Sequence, residues 1–238
     1  MLLRVGDLQQ CQSGPSGGPL AEEGEKEMSA LASQFAVSTA GLPVSDPLAE
    51  AGLLHDLAVR AYSRGDVAGG IHLAERALAL RARRLGAADS DVARDLKVLG
   101  ALYHVAGRFI DADDCYRRAL AIVENCYGPD HIEIATTCAD LAALRSDHGD
   151  YDVAEALGRR SLRILQAVLG PEDTEVGRTM LNLAAALAGQ NKLAEASAFA
   201  DCARAILSDR LPDAHPYVLA ARQAVNNLQE PARYAATW

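Results

Sequence analysis

The chain has 238 residues, half of them apolar, 23% charged and only 5% aromatic. These proportions suit a soluble folded protein, and an alanine-rich, aromatic-poor core favours closely packed helices over a β-sandwich. The formal net charge of −9 excludes a nucleic-acid surface, which needs clustered Lys and Arg.

Along the chain, Gln10 to Pro19 is rich in Gly, Ser and Pro and reads as a disordered linker. Residues 21–38 put Met28, Leu31 and Phe35 on one helical face. Glu22 to Glu27 would be encoded by purine-rich codons directly before Met28, as a ribosome-binding site precedes a start codon, so the natural start is expected at Met28. Residues 1–45 are therefore expected to form a disordered or loosely helical extension. Asp46-Pro47 reads as the N-cap and first position of the opening helix.

From there the chain repeats itself. Leu85-Gly86, Tyr127-Gly128, Leu169-Gly170 and Leu211-Pro212 recur every 42 residues, and so do Gly65, Gly107, Gly149 and Asn191. Both series mark chain reversals, where Gly or Asn adopts positive φ and ends a helix. They are offset by 20 residues, which predicts two helices per repeat. First helices carry Leu57, Leu99, Leu141 and Leu183, each followed by a small residue: Ala58, Gly100, Ala142, Ala184. Second helices open on Val67, Phe109, Tyr151 and Leu193 and carry two further small series. One is Gly70, Ala112, Ala154 and Ala196, and the other is Ala77, Ala119, Ser161 and Ala203. Small residues at fixed points let antiparallel helices approach, and bulky ones fill the gaps. The expected fold is an all-α solenoid over 46–230, with repeats at about 51–92, 93–134, 135–176 and 177–218. A capping helix over 216–228 and a flexible tail over 231–238 complete it.

The small-residue spacing, as in Ala142, Ala154 and Ser161, resembles the tetratricopeptide repeat (TPR). The 42-residue period with Gly128-Pro-Asp-His131 and Asn182-Leu-Ala184 is similar to the longer repeat of kinesin light chains and many bacterial proteins. The resemblance covers residues 47 to about 228 and implies a right-handed superhelix. It also implies a concave groove, lined by the first helix of each repeat, that holds a peptide or a partner helix.

Carried over position by position, the resemblance puts His55 and Tyr62 of repeat one in that groove, with Asp56 and Val59. Repeat two supplies Arg94, Lys97, Ala101 and His104, and repeat three Thr136, Asp140, Ala143 and Asp147. Repeat four supplies Arg178, Asn182 and Ala185. Asn182 matches the family's backbone-holding Asn, while Asp56, Val98 and Asp140 stand at its equivalents in the other repeats. Arg94, Lys97 and Arg178 place positive charge in the groove of an acidic protein. They read either as receptors for carboxylates on an acidic partner or as partners of Asp95 and Asp140.

No catalytic or metal site is expected, and no cofactor. The odd set of Cys11, Cys115, Cys126, Cys138 and Cys202 fits neither a zinc site nor a disulfide framework. His131 and His215 fall in turns between repeats, where they can cap the next helix. Arg64-Gly65-Asp66 spells a cell-adhesion tripeptide, but it falls at the turn inside repeat one. The leading expectation is a non-catalytic scaffold, monomeric or homo-oligomeric, that binds a protein or peptide with acidic groups. The alternatives are a small-molecule or enzymatic role in a bacterial biosynthetic pathway, and a self-assembling solenoid. With no membrane span and no signal peptide at the start, the cytoplasm is the expected compartment. Scarce lysine beside plentiful Arg and Ala points to a GC-rich bacterial source.

Overall fold

The structure, a computed structural model, describes residues 46–229. The helix expected over 21–38, the start expected at Met28 and the tail over 231–238 lie outside them. Among the described residues the chain forms α1 (Pro47–Arg64), α2 (Val67–Leu85), α3 (Ser90–Val105), α4 (Phe109–Tyr127) and α5 (Ile132–His148). It continues with α6 (Tyr151–Leu169), α7 (Thr174–Gly189), α8 (Leu193–Arg210) and α9 (Pro216–Gln229).

Local chemistry sets the ends of these helices. Asp46 accepts a hydrogen bond from the Leu48 N–H at 3.0 Å, with Pro47 at the first helical position. His131 and His215 cap α5 and α9 by accepting from Glu133 N–H and Tyr217 N–H, each at 3.2 Å. Asp66 of the adhesion-like tripeptide caps α2, accepting from Gly69 N–H at 3.0 Å. Within each pair the reversal uses a left-handed residue: Gly65, Gly107, Gly149 or Asn191, with φ from 61° to 91°. Between pairs Gly86, Gly128 and Gly170 also take positive φ. The last turn of this kind differs, because Leu211 is extended at φ −124°, as a residue before proline must be.

The helices pack as antiparallel pairs, α1 with α2 through α7 with α8, and each pair stacks on the next. Odd-numbered helices also touch the odd-numbered helix of the following repeat, so they form the inner layer and the even-numbered helices the outer one. The three small-residue series lie at the contacts. Ala58, Ala184, Ala112, Ala196, Ala77, Ala119, Ser161 and Ala203 are fully buried at 0% exposure. Leu99, Leu141 and Leu183 are buried between repeats, while Leu57 is half-buried.

Ion pairs tie neighbouring repeats at both layers. Outside, Arg160 of α6 reaches Glu124 of α4 at 2.6 Å, and Arg159 of α6 pairs with Glu195 of α8. Inside, Lys97 of α3 reaches Glu133 of α5 at 3.1 Å. Lys192 and Arg159 hold the Glu155 carboxyl down at about 2. No described helix is long and apolar enough to cross a membrane.

Candidate functional site

The inner layer lines an open concave cavity of about 610 Å³, within the range of ligand pockets. Its wall draws on α1 through Tyr62 and Ser63, on α3 through Ala101 and His104, and on α5 through Asp140 and Ala143. Glu175, Arg178 and Asn182 of α7 and the His215–Tyr217 start of α9 complete it, with Tyr116 from the outer helix α4. Two other depressions, of about 510 and 440 Å³, are lined by a turn and by one helix pair. The concave cavity draws on all four repeats.

Five of the nine candidate residues meet there: Tyr62, His104, Asp140, Arg178 and Asn182. Lys97 and Thr136 form an adjoining pair, the Lys97 Nζ donating to Thr136 Oγ1 at 2.7 Å and to Glu133 at 3.1 Å. Arg94 is apart and 57% exposed at its side chain, pairing with Asp91 at 3.2 Å rather than with Asp95. His55 also lies outside the cavity lining. Its Nδ1 is 2.7 Å from Asp95 Oδ1, which also receives Arg81. That trio joins α1, α2 and α3 where Asp95 is 1% exposed, and one oxygen of Asp95 is left without a partner.

The electrostatics centre on Asp140. It keeps 30% of its side-chain surface, but protein surrounds it, and desolvation raises its carboxyl above the usual carboxylate range despite Arg178 and Lys97. Arg178 Nη1 stands 3.8 Å from Asp140, beyond hydrogen-bond reach. Its Nε and Nη2 donate to Glu175 at 3.0 and 2.7 Å. Desolvation alone would lower the Arg178 guanidinium, but Asp140 and Glu175 more than compensate, so it stays firmly charged. Burial also raises the Tyr62 and Tyr116 hydroxyls. His104, 8% exposed, is held by Asp147 at 2.9 Å and packs on Phe109. The Asn182 amide carries no hydrogen bond from any described residue.

Ser63 in the cavity wall donates back to Val59 O at 3.0 Å in its own helix. Burial pushes the Cys115 and Cys138 thiols up to about 11, which makes both poor nucleophiles.

The positions carried over by the resemblance did not include Tyr116 of the outer helix α4, Tyr217 of the capping helix α9, or Glu175, one turn before Arg178 on α7. A signal for Tyr116 was present: it occupies a position that is Ala74, Gly158 and Ala200 in the other repeats. A tyrosine at a small-residue point has to displace something, and the residue opposite is the one glycine of the Ala58, Gly100, Ala142, Ala184 series.

Comparison with known proteins agrees with this architecture. Tetratricopeptide repeat profiles match residues 51–91, 95–167 and 138–209. No curated protein sequence matches at a significant level. Among solved structures, a kinesin light chain of Podosopora anserina with nearly identical TPR-like repeats is 21% identical, with a TM-score of 0.65 over 80% of this chain and 90% of that one. BtubC (BKLC) from P. vanneervenii is also 21% identical, with a TM-score of 0.64 over 88% and 91%. The apo form of RapI is 15% identical, with a TM-score of 0.67 over 91% and 82%. What these structures share with the chain is the right-handed α-solenoid of antiparallel helix pairs. With the family's repeat profiles matching more than half its length, this chain belongs to the tetratricopeptide repeat family.

Proposed function

We propose that the protein is a non-catalytic interaction scaffold that holds a segment of a partner protein in its concave groove. The observation that carries this reading is the cavity drawn from all four repeats, in which the Asn182 amide and the Tyr62 hydroxyl have no hydrogen-bond partner among the described residues. An amide both donates and accepts, so Asn182 can pair with the backbone of an incoming segment. Arg178, fixed by Glu175, and His104, fixed by Asp147, stiffen the wall around it, which lowers the ordering entropy that binding must overcome. Ala101 and Ala143 keep the groove floor low enough for a helix or an extended strand to enter.

If the partner carries acidic groups, Arg94 is the residue to meet them, because its pairing with Asp91 is open to solvent while Lys97 and Arg178 are held in more buried pairs. Charge reversal at Arg94 should then abolish binding, whereas unchanged affinity would leave its charge to Asp91.

The groove reading is tested by placing a photo-crosslinking amino acid at Ala143 and, as a control, at the outward-facing Arg163. A protein crosslinked from Ala143 but not from Arg163 supports it. A small metabolite retained in native mass spectrometry, with no protein crosslinked, would move the assignment to the small-molecule alternative. Light scattering of the purified chain tests self-assembly.

A further inference from the structure

Repeat two departs from the small-residue pattern at two facing positions. It carries Tyr116 where the other repeats have Ala or Gly, and Gly100 where they have Ala. The two touch: a Cβ on Gly100 would lie 3.0–3.1 Å from three atoms of the Tyr116 ring. Gly100 is thus the gap through which a side chain of the outer layer passes α3 and reaches the cavity wall. Tyr116 is 2% exposed, yet its hydroxyl has no hydrogen-bond partner among the described residues. The oxygen is not sealed in the core but opens into the cavity, where an incoming group can pair with it.

Its surroundings indicate what that is. Tyr62, Tyr217 and Asp140 are all close enough to interact electrostatically with one another or with Tyr116. Asp140 accepts no hydrogen bond from any described residue, and Arg178, its nearest cation at 3.8 Å, gives its hydrogen bonds to Glu175. The cavity wall counts two carboxylates against one arginine. Its tyrosine hydroxyls can donate as well as accept, and their oxygens leave acceptor capacity open beside Asp140.

We propose that this corner of the groove is a pocket for a cationic side chain, the guanidinium or ammonium of an Arg or Lys in the bound segment. Asp140 takes the charge, and the Tyr62, Tyr116 and Tyr217 oxygens accept the remaining N–H groups. The inference rests on the groove-binding reading. A guanidinium carries five donors and an ammonium three, and neither has an acceptor, which complements this lining. A carboxylate would face Asp140 and Glu175, and an apolar group would leave buried acceptors unpaired. A bound cation also adds to the compensation that Arg178 at 3.8 Å and Lys97 give the desolvated Asp140, which does not offset its burial.

The test is to pan a random peptide display library against the full chain. The selected peptides are then measured by calorimetry against the wild type, Asp140→Asn, Tyr116→Phe and Asn182→Ala, each checked for a cooperative melt. The proposal expects an Arg or Lys at one shared peptide position and a loss of about 10- to 100-fold in affinity for Asp140→Asn, the range of charged hydrogen bonds. A smaller loss is expected for Tyr116→Phe, and with Gln at that peptide position the wild type and Asp140→Asn should bind alike. Peptides that Asn182→Ala weakens but that carry no shared cation, or that ignore Asp140→Asn, overturn the pocket and leave the groove reading standing. If no selected peptide responds to any of the three variants, both fall. Free methylguanidinium binding as tightly as the peptides would overturn the segment as the source of the cation.

Discussion

At the scale of single residues, Gly100 and Tyr116 set up a reversal of sign. Ala in place of a mid-helix Gly normally gains about 0.5–1 kcal/mol. Here the new methyl meets a buried ring, and overpacking of this kind costs about 1–3 kcal/mol. Gly100→Ala should therefore destabilise the wild type. In a Tyr116→Ala background the same change should stabilise, since Ala58 with Ala74 and Ala184 with Ala200 already show that pairing elsewhere. Urea denaturation of the four variants measures both signs. A second residue-level expectation concerns pH. The Asp140 carboxyl is raised in the folded chain from its ordinary 3.8, so the folded state holds its proton more tightly than the unfolded state does. Its ionisation thus weakens the fold above the raised value, and stability returns as pH falls from there toward 3.8. Melting temperatures should show the wild type gaining on Asp140→Asn over that interval, and parallel curves would contradict it. That Tyr62, His104, Asp140, Arg178 and Asn182 line the cavity was legible in the sequence, because the resemblance carries inner-helix positions into the groove. Tyr116 and Tyr217 were not, because one reaches the cavity from the outer layer and the other from the capping helix. Ion pairing was equally hidden: Arg94 took Asp91 one turn away, and Asp95 was claimed by residues from two other helices.

At the scale of helices, almost all of the design was readable. The Gly65 and Gly86 series fell at the ends of α1 and α2 and of their equivalents, because only residues tolerant of positive φ can close such turns. The exception, Leu211, shows why a register is not a conformation: the proline after it imposes extended backbone on an otherwise equivalent turn. Packing between helices carries its own expectation. Leu141, 4% exposed between repeats, should cost about 2–5 kcal/mol when cut to Ala. Ala154, 1% exposed at the α5–α6 crossing, should tolerate Glu even less, since a charge would enter a backbone-close contact. Both are read from thermal melts, and parent-like melting of either variant would contradict the packing register.

At the scale of the whole molecule, stability in a stacked array is a sum of repeat terms and nearest-neighbour interfaces. The outer helices face their counterparts in the next repeat largely through long side chains, Arg160 to Glu124 and Arg159 to Glu195, while Lys97 and Glu133 make the matching link inside. Such half-exposed pairs each contribute about 0–1 kcal/mol and fade as salt screens them. Small-angle scattering should accordingly find the radius of gyration rising between low and high ionic strength while helix content stays constant, and an unchanged radius would assign shape to the apolar contacts alone. A radius that rises with salt would place part of the solenoid's stiffness in these opposed charge links, beside the apolar core that runs through the repeats. Bending that shortens the outer links stretches the inner one, so the aperture of the groove would then be a mechanical property of the coil, adjustable by the ions around it.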